Sequence, residues 1–163
     1  MKMYVFSDSH RACTQMANVL MQNKGDYDLV VHLGDHCSDT RALEPIIGIT
    51  PLISLRGNCD YDVMDSSIVP SRAVELFGIR FFLCHGHEQN VKTTYDVLYN
   101  EARRYHCRAA LFGHTHVPLC ETRGGITIFN PGSIGVPYAP RKPSYGVITV
   151  EGDLVQYEIR EVS

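Results

Sequence analysis

Five short segments carry the side chains capable of chemistry: Asp8-Ser9-His10, Gly34-Asp35, Gly57-Asn58-Cys59-Asp60, His85-Gly86-His87 and Gly113-His114-Thr115-His116. Taken singly, each has a structural reading. A strand-terminal Asp caps the next helix as readily as it holds a metal, and Gly, Asn and Asp accept the backbone angles of turns. Gly-His-x-His is sharper: with 13 Gly and 8 His in 163 residues, chance produces it with a probability on the order of 0.03. The conjunction decides between the readings. Asp8, His10, Asp35, Asn58, His85, His114 and His116 all follow apolar, strand-like runs and are expected at one edge of one sheet, where α/β folds gather their ligands. Left alone there, carboxylates and imidazoles would repel or lose hydration, whereas divalent cations would satisfy them together. Imidazole, carboxylate and amide oxygen, without cysteine, suit Mn, Fe, Ni or Zn better than Ca or a structural zinc.

The runs that position these residues alternate in type. Lys2 to Ser7, Leu29 to Leu33 and Pro51 to Leu55 read as buried strands, each stopped by a polar or Gly-containing segment. Between them, apolar residues at three- and four-residue spacings from Cys13 to Asn23 and from Thr40 to Ile47 predict helices. Strand, helix, strand, helix, strand with short connections implies parallel pairing by right-handed crossovers, hence the α/β class. Further on, Ala73 to Phe77 and Arg80 to Leu83 flank Gly78 as a hairpin that leads into His85. Tyr95 to Tyr105 predicts a third helix, and Ala109 to Phe112 a strand that leads into His114. Ile126 to Phe129, Tyr145 to Val150 and Leu154 to Ile159 predict strands of antiparallel character, and Pro137 to Pro143 a surface loop.

The 163 residues suit one domain spanning 1–163, with enough apolar content to fill one core. Fifteen Lys+Arg against eighteen Asp+Glu leave a net charge of −3, without the basic excess that sequence-specific nucleic-acid binders use. No run reaches the roughly 20 apolar residues of a membrane span, and the N-terminal apolar stretch is too short for a secretion signal. Six cysteines without a C-x-x-C pair read as reduced thiols. The expectation is a cytoplasmic protein with no membrane partner.

In order, these motifs resemble those of the calcineurin-like metallophosphoesterases, specifically the small prokaryotic phosphodiesterase branch. The match runs from Tyr4 to His116, and Asn130-Pro131-Gly132-Ser133 is similar to the segment that follows the last His motif. The resemblance implies a four-layer α/β sandwich of two facing mixed sheets flanked by helices, with a binuclear centre at one edge. It assigns Asp8, His10 and His116 to a first metal, Asn58, His85 and His114 to a second, and Asp35 to both. Manganese heads the expected cofactors, with Ni, Fe, Co and Zn also fitting. Two divalent cations bring +4 and two carboxylates return −2, which leaves a site attractive to phosphate. A metal-bridging water of lowered pKa would attack phosphorus, so the expected activity is hydrolysis of small phosphodiesters. Asn58 and Asp60 are the expected catalytic residues beyond the pure ligands, Asp60 by orienting a ligand or water. His36 and His87 are candidates for substrate contact. A homodimer or homotetramer is the assembly the resemblance implies.

One departure bears on substrate. Many relatives carry His directly after the Asn, whereas Cys59 stands there in this chain and is a poorer acid at neutral pH. That favours phosphodiesters, or esters with good leaving groups, over alkyl monoesters. Two other readings compete. A non-catalytic scaffold of the same fold predicts gaps among the seven ligand positions, and none is present; a nuclease predicts a basic track that net −3 does not supply.

Overall fold

The computed structural model describes residues 1–163. Its strands fall into two five-stranded sheets. The first contains β1 (Lys2–Phe6), β2 (Leu29–His32) and β3 (Leu52–Ser54), paired in parallel as their connections predict. Helix α1 (Cys13–Gln22) makes the first crossover and buries Met16, Val19 and Leu20, the expected stripe. The second crossover differs from expectation. A 3₁₀ segment, Cys37–Leu43, precedes a single α-helical turn, α2 (Glu44–Ile47), in place of one helix from Thr40 to Ile47. Pro45 has no N–H to donate to the Arg41 carbonyl and its ring crowds that carbonyl, so an α-helix can begin at this turn but cannot run through it, and the apolar spacing is filled by two short pieces.

The second sheet begins with the hairpin of β4 (Ser71–Leu76) and β5 (Ile79–Cys84), paired antiparallel. Its two-residue turn needs positive φ at both central positions, and Phe77 (φ 55°) and Gly78 (φ 80°) supply it. Helix α3 (Asp96–Arg104) precedes β6 (Ala109–Leu111). The expectation of an antiparallel last third needs correction. A strand absent from the sequence reading, β7 (Leu119–Arg123), turns the chain back, so β8 (Ile126–Asn130) lies parallel to β6 and antiparallel to β7. From Cys120 to Arg123 every residue of β7 is exposed, so it shows no apolar alternation. Strands β9 (Ser144–Glu151) and β10 (Leu154–Glu161) are antiparallel as expected, but they rejoin the first sheet, β9 beside β1.

Period-two alternation sorts the buried side chains into layers. Met3, Val5, Val31, Phe81, Leu83 and Leu111 point between the sheets into a shared core. Their neighbours Tyr4, Phe6 and Val30 face α1 and α2, while Phe82, Ala110 and Phe112 face α3. Each fully buried large side chain contributes about 1.5–3 kcal/mol. The four layers match the expected sandwich. What they correct is the placement of the chemistry: Asp8, Asp35 and Asn58 follow strands of the first sheet, whereas His85 and His114 follow strands of the second. Periodicity reports which face a strand buries, not which sheet it joins, so a single sheet edge was the simpler expectation.

Candidate metal centre

The loops after β1 and β2 meet those after β5 and β6 at the seam between the sheets. Six of the seven expected ligands come together there in two groups, Asp8 with His10, Asp35 and His116, and Asp35 with His85 and His114. Within each group the ligand atoms lie within 4.8 Å of one another, and Asp35 belongs to both. Asp8, Asp35 and His85 are buried, while His10, His114 and His116 are partly open. Asn58, the seventh, is exposed on the adjoining loop, and its only side-chain hydrogen bond is from Nδ2 to Cys59 Sγ at 3.6 Å.

Hydrogen bonds aim these groups inward. His85 Nδ1–H donates to Leu33 O at 2.8 Å and His116 Nδ1–H to Val136 O at 2.7 Å, which leaves both Nε2 lone pairs directed into the cluster. Asp8 Oδ2 accepts from Ser7 Oγ at 2.6 Å and from the His114 amide at 3.1 Å, which ties the two sheets together. Asp8 Oδ1, His10 Nε2 and His85 Nε2 are buried with no hydrogen-bond partner. His116 Nε2 lies 3.2 Å from Asp8 Oδ1, and His85 Nε2 lies 3.4 Å from Asp35 Oδ1, without hydrogen-bond alignment in either case. Buried polar atoms left unpaired in this way are costly unless something else coordinates them. Inward Nε2 atoms and two carboxylates are a donor set that divalent transition metals accept, so the residues present fit the expected cations.

Charge follows the same geometry. Burial pushes the Asp8 and Asp35 carboxyls up, but neighbouring His116 and His85 outweigh it and hold both below the usual carboxylate range. His85 loses to burial and regains more from Asp35 and Asp8, so its pKa ends raised; His116 is raised chiefly by Asp8. His114 is pushed down to about 4 by burial and the nearby His85, and burial also lowers His10.

Asp60, expected to orient a ligand or water, is bonded to backbone amides. Its buried carboxylate accepts three backbone N–H groups, from Asp35 at 2.9 Å, Cys37 at 3.0 Å and Gly57 at 2.8 Å. It therefore grips the backbone on both sides of the shared ligand. Above it, the Cys59 amide donates to Asp35 Oδ1 at 2.9 Å. Gly57 is required at this approach, because a Cβ there would collide with Asp35 Oδ1. His36 and His87 border the cluster, with ring centroids 5.0 Å from His10 and 5.4 Å from His85 respectively.

The supporting contacts of His32, Asp39 and Asn130 escaped the sequence reading. His32 is fully buried; its Nδ1 accepts the Gly34 N–H at 3.2 Å, and its Nε2 meets Ser9 Oγ at 3.0 Å. Ser9 Oγ in turn donates to Asp39 Oδ2 at 2.8 Å, which also accepts the Arg11 N–H. This chain of bonds fastens the Asp8–Arg11 loop. On the other sheet, Asn130 Nδ2 donates to Gly113 O and Thr115 Oγ1 and holds the His114–His116 loop. A histidine inside an otherwise apolar strand is a signal in itself, since a buried ring must find partners; Asp39 and the contacts of Asn130 offered none.

Residues 1–153 match the family profile of a calcineurin-like phosphoesterase superfamily domain. The chain is 30% identical over 157 residues to YsnB, a probable metallophosphoesterase of Bacillus subtilis, which covers 94% of this chain and 86% of that protein. It is 34% identical over 102 residues to the Escherichia coli phosphodiesterase YfcE, 60% of this chain and 52% of that one. A zinc complex of Vps29 from Entamoeba histolytica superposes with a TM-score of 0.75 over 100% of both chains at 18% identity, a likeness of fold. Motif order, the two facing sheets and the profile agree: this chain belongs to the calcineurin-like phosphoesterase superfamily, a group of ester-bond hydrolases.

Proposed function

We propose that the chain hydrolyses small phosphodiesters at two divalent cations, one held by Asp8, His10 and His116, the other by His85, His114 and Asn58, with Asp35 shared. The observation that carries this reading is the sharing of Asp35 between two ligand groups whose atoms Asp8 Oδ1, His10 Nε2 and His85 Nε2 are buried and unpaired. Bound there, the cations supply charge neutralisation for the phosphoryl oxygens and acidify water. The chain's own residues do the rest. His85 and His116 keep their Nδ1 protons on Leu33 and Val136, so each presents Nε2 in fixed orientation. His36 and His87, which border the cluster, would meet substrate oxygens.

Cys59 supports the preference for good leaving groups. Burial and the nearby Asp35 push its thiol up to about 11, so it stays neutral and donates a proton poorly to a departing alkoxide. Protein stripped with chelator and reloaded with Mn, Ni, Zn or Mg, manganese first, is expected to hydrolyse bis(p-nitrophenyl) phosphate, and Asp35→Asn to abolish turnover. Silence with every cation, or full activity in Asp35→Asn, overturns the reading. Equal rates on alkyl and nitrophenyl esters would remove the leaving-group argument.

A further inference from the structure

Two cavities open in this molecule, and both lie on one flank of the centre. The smaller, about 450 Å³, is walled by Arg11, His36, Cys59 and Tyr61. It therefore abuts His10, whose ring is 5.0 Å from that of His36, and the Cys59 amide that bonds to Asp35. The larger, about 710 Å³, lies beyond it between the 3₁₀ segment, β3 and the loop of residues 62–68. Ser38 and Asp62 line both, so the two cavities form one cleft leading away from the centre. A diester bound by its phosphate has two organic arms to place, and this cleft is the enclosed space beside the site.

The walls of the larger cavity describe the arm that fits. Leu52, Ile53, Val63, Met64 and Ile68 make an apolar floor, and Met64 is left 92% exposed on it. Five charged groups surround that floor, Arg41 and Arg72 against Glu44, Asp62 and Asp65, and none forms a salt bridge. The formal charges sum to −1, so the cavity disfavours an anionic arm and leaves a neutral one unopposed. Asp65, also on the wall, is already taken by the Ser67 amide and hydroxyl. Ser54 Oγ is buried on the cavity wall without a hydrogen-bond partner. An apolar face, donors and acceptors around it without an excess of positive charge, and a volume within the roughly 300–1,000 Å³ of small-molecule sites match a flat, neutral, hydrogen-bonding group. Building on the phosphodiesterase reading, we propose that the substrate is a diester with one nucleoside arm, which this cleft receives while the other arm departs.

Three esters sharing the p-nitrophenol leaving group test this: methyl p-nitrophenyl phosphate, thymidine 5′-(p-nitrophenyl phosphate) and its 3′-phosphorylated derivative. The thymidine ester is expected to exceed the methyl ester in kcat/KM by about tenfold or more, through KM. Ser54→Ala and Met64→Ala, which remove one hydroxyl and one exposed side chain, are each expected to cut that advantage by about threefold or more. Equal kcat/KM for the methyl and thymidine esters overturns the proposal, as does an advantage that survives in both variants. A further gain of about tenfold from the 3′-phosphate overturns the neutral arm. If no ester is turned over with any cation, the phosphodiesterase reading falls, and thymidine titrated into the metal-free protein then decides the cleft. Amide shifts gathered around Ser38, Ser54 and Met64 support it, and their absence overturns it.

Discussion

Asp60→Asn and Asp35→Asn separate the residue that holds the site from the one that performs in it. In the parent, Asp60 Oδ2 accepts from the Asp35 and Gly57 amides and Oδ1 from the Cys37 amide, all buried. Asparagine keeps one oxygen. Turned toward Asp35 and Gly57, it must present its NH₂ to the Cys37 N–H, which leaves two donors facing each other without an acceptor. Each unsatisfied buried donor costs about 1–3 kcal/mol, and the two surviving bonds lose their charge assistance. A sum of roughly 3–5 kcal/mol is a large share of the 5–15 kcal/mol that typical domains possess. With a urea slope of about 2 kcal/mol per molar, the unfolding midpoint of the metal-free protein should fall by about 2 M. Asp35→Asn is different: its oxygen can keep the Cys59 amide, and Asp35 Oδ2, 3.7 Å from His10 Nε2, takes part in no hydrogen bond. Its stability should fall by less than that of Asp60→Asn, because no buried donor is left unpaired and only the attraction to His85 is given up, while cation-dependent turnover is lost. Urea melts in chelator measure both. A midpoint for Asp60→Asn within about 0.3 M of the parent, or equal shifts in the two variants, would refute the assignment of clamp and ligand.

Cation affinity should weaken as pH falls from 8 to 6, because His85 and His116 have raised pKa values and must lose protons to bind. Calorimetry in buffers of different ionisation enthalpy should detect the released protons, and buffer-independent heats would contradict this. In the metal-free protein those two raised histidines contribute stability that is present below pH 6.5 and lost as pH rises through their folded values. The lowered Asp8 and Asp35 act oppositely: their contribution is present above 3.8 and lost as pH falls through their folded values. His32, depressed to about 4 by burial, should cost roughly 3 kcal/mol as pH falls from 6.5 to 4. His32→Gln should therefore show a shallower loss of stability across that window, and an unchanged slope would remove His32 as its source. Gly57→Ala drives a methyl group into Asp35 Oδ1 and should lower turnover by about a hundredfold. Parent-like kcat in that variant would show that the loop can yield.

The sequence made the parallel β1–β2–β3 unit legible, because each strand buries both faces and stops at a polar residue, and its crossovers leave only one economical pairing. The ligands were legible for the same reason: chemistry sits where a strand stops. The seam was not. Nothing in β5 or β6 says that they join a second sheet, because Phe81 and Leu83 would pack as well against either one. The clamps were missed for another reason. Asp39 and Asn130 act on backbone amides and carbonyls brought near by the fold, as does Asp60, for which a ligand or water was the expected partner, and backbone groups leave no mark on a sequence.

Those unseen clamps account for the backbone of the site. Asp8, His10, Asp35, His114 and His116 all have positive φ, as does Gly34. For a residue with a side chain, that conformation costs about 1–2 kcal/mol, somewhat less for Asp and His near the left-handed region. Five such residues would relax if the loops were free to move. They are not free: Asp60 holds Asp35, the His32–Ser9–Asp39 chain holds the loop of Asp8 and His10, and Asn130 holds the loop of His114 and His116. None of these holding groups lies in the ligand clusters. Strain and support are thus divided between two sets of residues, so cation ligation need not also supply the ordering of the loops. Loss of a clamp should consequently act on affinity and stability together, whereas loss of a ligand acts chiefly on affinity and turnover.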